Sequence, residues 1–204
     1  MSQVLRAQWT IIAQTAPQPW LTCRRCGEAR RFRSSDRVRV NTNGKRVDAW
    51  LVYKCTDCDD TWNRPVLERR PVQAIDPEFL ASLRANDAAV VRRLAFDVEG
   101  LRRRTDRVAE FDDVLVIKRV LSGDATSAHQ LDIRCAVPEP VGLRVDRLLA
   151  NELGLSRSSV QRLEASGALV AFPKGARLQR AVRDGMRLLI TSRDVPARQM
   201  LTDI

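Results

Sequence analysis

Histidine and tyrosine each occur once in the 204 residues, and aromatic residues make up only 5% of the chain. The lone histidine, His129, has no neighbouring serine or cysteine motif. It therefore offers no acid–base pair and is expected to be a surface residue in a turn. No apolar run approaches the roughly 18 residues of a membrane-spanning helix. No Gly-x-x-x-x-Gly-Lys or Gly-x-Gly-x-x-Gly loop is present to cradle a phosphate. The chain has no internal repeat and no low-complexity tract. Met1-Ser2-Gln3-Val4-Leu5-Arg6 lacks the basic start and apolar core of a secretory signal. These absences lead to the expectation of a cytoplasmic, non-enzymatic protein with no membrane association and no evident small-molecule substrate.

Basic charge is abundant. Lysine and arginine total 35 against 25 acidic residues, a net charge of +10. A polyanionic partner follows from that balance. Only Lys45, Lys54, Lys118 and Lys174 are lysines. Arginine suits bidentate phosphate contacts and stacking on bases, although a genome rich in arginine codons gives the same composition. The surplus lies at the two ends: residues 1–72 are net +7, residues 73–135 net −1 and residues 136–204 net +4.

Three blocks and a tail emerge, of α+β class overall. Residues 1–72 read as β-rich. Trp9 to Ala13 is strand-like, and Val38 to Asn41 and Val47 to Lys54 flank Asn43-Gly44, a strong hairpin signal. Residues 73–137 read as helical with a hairpin. Asp76-Pro77 and Asn86-Asp87 are helix starts, Leu101 to Val108 suggests a third helix, and Leu131 to Val137 is expected to pair back onto Val114 to Leu121. Pro138-Glu139-Pro140 reads as a linker. Residues 138–192 follow an α-α-β pattern. Val145, Leu148, Leu149 and Leu153 fall at helical spacing, Gly154 and Gly167 are stops, and Ser156 is a cap. The tail 193–204 gives no clear signal.

The five cysteines include two Cys-x-x-Cys pairs, Cys23/Cys26 and Cys55/Cys58. In a reducing compartment such pairs read as metal ligands rather than disulfides. Two thiolates separated by two residues reach adjacent corners of one tetrahedron, and a second pair completes it. The expectation is a zinc ribbon holding one structural zinc ion, with the hairpin bringing the knuckles together. An iron–sulfur cluster or a redox dithiol is the alternative. Cys135 is left over as a small hydrophobe. Basic residues from Arg30 to Arg46 interleave with Phe32, Trp50, Tyr53 and Trp62. They suggest a second nucleic-acid contact, while Trp50 and Trp62 also suit the ribbon's small core.

Phe32 to Cys58, with Val-Asn-Thr-Asn-Gly-Lys and Trp-Leu-Val-Tyr-Lys-Cys, followed by Thr61-Trp62-Asn63, resembles an uncharacterised bacterial family known only as a domain of unknown function. The resemblance spans about the first half of the chain. A second resemblance lies in the last block. Arg144-Val145-Asp146, Leu148-Leu149, Gly154-Leu155-Ser156-Arg157, Gln161-Arg162-Leu163, Gly167, Val170, Val182 and Asp184-Gly185 follow in order. This is similar to the RNA-binding module of the fourth small-subunit ribosomal protein, here called the S-four module. Departures are Phe172-Pro173-Lys174-Gly175 in place of a Val-Asn-Gly turn, Glu164 at a usually apolar position, and Gly185-Met186 in place of a closing Gly-Asp. The resemblance implies RNA contacts by Arg144, Ser156 and Arg157, and by Lys174 in the following loop. Charge adds Arg147, Arg162 and Arg177.

Together these readings give the expectation of a zinc-stabilised RNA-binding protein acting on ribosomal or transfer RNA. The alternatives are a DNA-associated transcriptional regulator and a protein-interaction adaptor without nucleic acid. The sequence leaves the oligomeric state open.

Overall fold

The computed structural model describes residues 4–124 and 128–191. The tail 193–204 lies outside these described residues. The chain forms two compact units: a host unit from Met1–Thr15 and Phe111–Ile204, and an inserted unit, Ala16–Glu110. The units do not follow the sequence blocks. The first strand joins the C-terminal half, and Pro138-Glu139-Pro140 connects elements within the host unit. The architecture is mixed α+β, mostly sheet, with five α-helices among the described residues.

The host unit holds a five-stranded sheet built from β1 (Val4–Ala13), β7 (Val114–Ser122), β8 (Gln130–Ala136), β9 (Leu169–Phe172) and β10 (Arg187–Thr191), in the order β7-β1-β8-β10-β9. Alternation along β1 buries Leu5, Ala7, Trp9, Ile11 and Ala13. Their register partners Leu131, Ile133 and Cys135 on β8 are buried with them. Helix α4 (Val145–Glu152) adds Val145, Leu148 and Leu149 to the core. Lys118 of β7 reaches Glu152 of α4, with Nζ 2.8 Å from Oε2. The even-numbered side chains of β7 therefore point toward the helix. Helix α5 (Arg157–Ala165) packs against α4 and β9.

One expected pairing is corrected here. Leu131 to Val137 does not return onto Val114 to Leu121; β1 lies between, parallel to β8 and antiparallel to β7. Gly123 ends β7 at φ +96°, and an added methyl would strike the Val4 carbonyl oxygen. Gly123→Ala combines a left-handed backbone with that clash. It is expected to lower host-unit stability by about 2 kcal/mol, read as an earlier urea midpoint at unchanged slope.

The inserted unit carries β2 (Gln18–Thr22), β3 (Ala29–Asn43), β4 (Arg46–Cys55), β5 (Thr61–Pro71) and β6 (Val108–Ala109), in the order β5-β4-β3-β2-β6. The Asn43-Gly44 turn joins β3 to β4 as expected, with Gly44 at φ +58°. Val47, Ala49, Leu51, Tyr53 and Cys55 of β4 share one fully buried face. Helices α1 (Pro77–Ala85) and α2 (Ala88–Ala95) pack on β3. Both start where the sequence places them: the Asp76 carboxylate accepts the Glu78 and Phe79 N–H groups, and Asp87 accepts that of Val90. The expected third helix, Leu101 to Val108, is instead the shorter α3 (Val98–Arg102), capped by Asp97. Thr105 Oγ1 donates to the Trp20 carbonyl at 2.6 Å, and the chain turns so that β6 pairs with β2.

Candidate functional site

Two loops of the same design converge at one end of the inserted sheet. In the first, between β2 and β3, Cys23 N–H donates to the Glu28 carbonyl and Gly27 N–H to the Cys23 carbonyl. In the second, between β4 and β5, Cys55 N–H donates to the Asp60 carbonyl and Asp59 N–H to the Cys55 carbonyl. Each loop closes through a left-handed residue four positions after its first cysteine: Gly27 at φ +76° and Asp59 at φ +58°. Glycine and aspartate tolerate that conformation where a branched side chain would not.

The four Sγ atoms lie within 4.8 Å of one another. Cys23 and Cys58 are 3.5 Å apart at sulfur, and Cys26 and Cys55 4.0 Å. A tetrahedron with metal–sulfur bonds of about 2.3 Å has edges of about 3.8 Å, so the set fits one metal ion. With all four ligands engaged, such an ion has no open position. The Cys26 thiol is pushed up to about 12 by its hydrogen bond to Cys58, by burial and by the Cys23 and Cys55 sulfurs. Burial acts upward on Cys23 too, but the Cys26 and Arg25 backbone N–H groups and the neighbouring sulfurs bring it down overall.

Around this cluster Asp57 and Asp59 are ion-paired. Asp57 lies 2.6 Å from Arg30, and Asp59 lies 2.9 Å from Arg33. A cavity of about 450 Å³ opens beside the first knuckle, lined by Arg24, Thr22, Phe32, Asp60, Trp62 and Asn63 among others. Trp62 also packs on the buried Tyr53 ring, with centroids 5.3 Å apart. Cys135 is distant in role. Buried among the β8 and β10 residues, its thiol is pushed up to about 12 by burial and by Asp184.

A second cluster occupies the start of α4 and α5. Asp146 is fully buried. Its carboxylate accepts Arg144 Nε at 3.0 Å and Nη2 at 2.6 Å, and Arg157 Nη2 at 3.3 Å. Both arginines keep much of their side chains in solvent, 40% and 55%. Ser156 caps α5 by accepting the Ser159 N–H at 3.0 Å. Arg162 donates to Ser159 Oγ at 3.0 Å, which holds it beside that cap. The loop after β9, which carries the exposed Lys174 and Arg177, bonds to the first turn of α4: Asp146 N–H donates to the Leu178 carbonyl and Val145 N–H to that of Arg180. Arg147 alone turns elsewhere, to Asp112. In the sequence Asp146 stands only as part of the Arg144-Val145-Asp146 motif; its place between two arginines comes from packing.

A mixed α+β protein with a four-cysteine cluster in its inserted unit is the class that fold and site define. The family described as "Protein of unknown function (DUF1062)" matches residues 40–174, and the chain belongs to it. The match takes in Cys55, Cys58 and most of the Asp146 cluster, but begins after Cys23 and Cys26. No curated protein and no solved structure matches the chain.

Proposed function

We propose that this chain is a non-enzymatic RNA-binding protein, stabilised by one structural zinc ion in a ribbon-like inserted unit and acting on ribosomal or transfer RNA. The observation that carries the RNA reading is the Asp146 cluster. One buried carboxylate fixes two guanidiniums from successive helices while their outer faces stay open to solvent. Fixed guanidiniums lose little freedom on meeting phosphate. Their neighbours Ser156 and Arg162 continue the same polar surface, as the resemblance to the S-four module implies. Zinc is the ion favoured by a closed, all-cysteine tetrahedral set.

The cavity beside the first knuckle supplies a second contact in this reading. Trp62, half-buried in its lining, offers an aromatic face for a base, and the exposed Arg24 a charge for a phosphate. Two weak sites on one chain gain avidity when both engage, and affinity falls steeply with salt through counterion release.

The test is ultraviolet crosslinking in the native cell, with sequencing of RNA recovered on the tagged protein. Defined ribosomal or transfer RNA sites are expected, lost together in the Arg144→Ala/Arg157→Ala variant. Recovery no better than an untagged control, from folded metal-loaded protein, rejects the RNA reading. Equal competition by duplex DNA redirects it to a DNA-associated role.

A further inference from the structure

Among the described residues six large hydrophobic side chains are exposed, and five of them lie on strands of the host sheet: Leu115, Ile117, Leu121, Val170 and Phe172. Three belong to β7, the edge strand of that sheet. No residue of β7 is buried. Its odd-numbered side chains are exposed, and its inward valines, Val114, Val116 and Val120, are only half-buried. An open, nine-residue apolar edge is a template for another strand.

We propose that a second copy of this chain pairs with β7, edge to edge and antiparallel about a two-fold axis at Ile117. Antiparallel pairing makes an edge complementary to itself, because the two-fold superimposes its donors and acceptors on those of its copy. Strand overlap and charge together select the register: a two-fold at Val116 would set Arg119 opposite Asp113 but pair only residues 114–118 of the strand with their copies, against 114–120 for a two-fold at Ile117. With Ile117 opposite Ile117, Arg119 stands opposite Leu115 of the other copy, and the Asp113 carboxylate is its diagonal neighbour, within reach of a long side chain. A two-fold at Lys118 would instead set the two Arg119 side chains diagonally against each other. Lys118 would then also face its own copy.

Inward-pointing lysines commonly guard edges against pairing. Lys118 does not act that way here. Its side chain is only 5% exposed and its ammonium is neutralised by Glu152, so pairing removes little further water from it. The edge is about 30 Å long, a modest interface that fits a micromolar dimer rather than a permanent one.

The test is sedimentation of the full metal-loaded chain at tens of micromolar, together with disulfide trapping. A reversible dimer is expected, weakened about ten-fold or more in Ile117→Lys, a change at an exposed position. Amides of 114–122 should gain exchange protection as concentration rises. Under mild oxidation Ile117→Cys should crosslink to itself, since paired α-carbons lie about 4.5 to 5.5 Å apart. Leu115→Cys should not, because its copies lie about 14 Å apart. A monomer at every concentration overturns the proposal. So does a dimer unaffected by Ile117→Lys and without protection of β7. A chain that dimerises only after deletion of residues 192–204 overturns it too, by assigning the edge to the chain's own tail.

Discussion

Removing the metal from the four-cysteine centre, or replacing Cys55 with serine, is expected to unfold the inserted unit while leaving the host unit folded. Metal binding to such sites contributes on the order of 10 kcal/mol to folding. That is comparable with the whole stability of an ordinary domain. Cys23 and Cys55 are themselves fully buried, and the two knuckles bring β2, β3, β4 and β5 together at the cluster. The host unit stands differently. Where the insertion leaves it, Gln14 N–H donates to the Asp113 carbonyl at 3.0 Å and Thr15 Oγ1 to its carboxylate at 2.6 Å. Those bonds close the ladder between β1 and β7 without help from the insertion. An unfolded insert is then one long loop, and closure entropy grows only slowly with loop length.

Tryptophan placement makes this separable in one experiment. Trp20, Trp50 and Trp62 lie in the inserted unit and Trp9 in the host core. After chelation three of the four emissions should shift toward the solvent-exposed wavelength. Trp9 should hold until a later thermal transition. Simultaneous loss of all four signals would show that the units fold only together. An unchanged spectrum with metal removed would show that the cluster is not what holds the inserted unit.

Features encoded by near neighbours are legible in the amino-acid sequence. Asn43-Gly44 specifies its hairpin because few other pairs accept that backbone. Asp76, Asp87 and Ser156 specify helix starts because a short oxygen-bearing side chain satisfies N–H groups two or three residues on. The Cys-x-x-Cys pairs specify a convergent four-sulfur cluster because the spacing fits a tetrahedral edge. Pairings between distant segments are not legible in the same way. Trp9 to Ala13 reads correctly as a strand, yet nothing local says that its partners are Val114 to Ser122 and Gln130 to Ala136. A hairpin of β7 with β8 is the shortest connection available, yet the two strands pair with β1 instead, one on each side of it. Leu101 to Val108 carries helix-forming arginines, but pairing of Val108 with Pro19 overrides that preference.

Asp146 is the residue whose substitution separates the readings of the basic surface. Asp146→Asn keeps the shape and raises the net charge by one. If RNA affinity came from charge alone, the variant would bind as well or better. If it comes from the fixed geometry of Arg144 and Arg157, affinity should fall by about ten- to a hundred-fold despite the added charge, because two guanidiniums lose their common anchor. Stability should fall as well, by about 2 kcal/mol. Removing one partner of a fully buried ion pair costs about 3–5 kcal/mol, but here the two arginines are partly in water and recover some hydration. The affinity loss has its own signature. Combined with Arg144→Ala, Asp146→Asn should add little further loss of binding, since each change disrupts the same constellation. Independent, additive losses would mean that Asp146 supports the fold of α4 and α5 and does not position the arginines. Affinity equal to or above that of the unsubstituted chain, in protein still folded by circular dichroism, would show that charge carries the binding and that the fixed geometry of Arg144 and Arg157 does not.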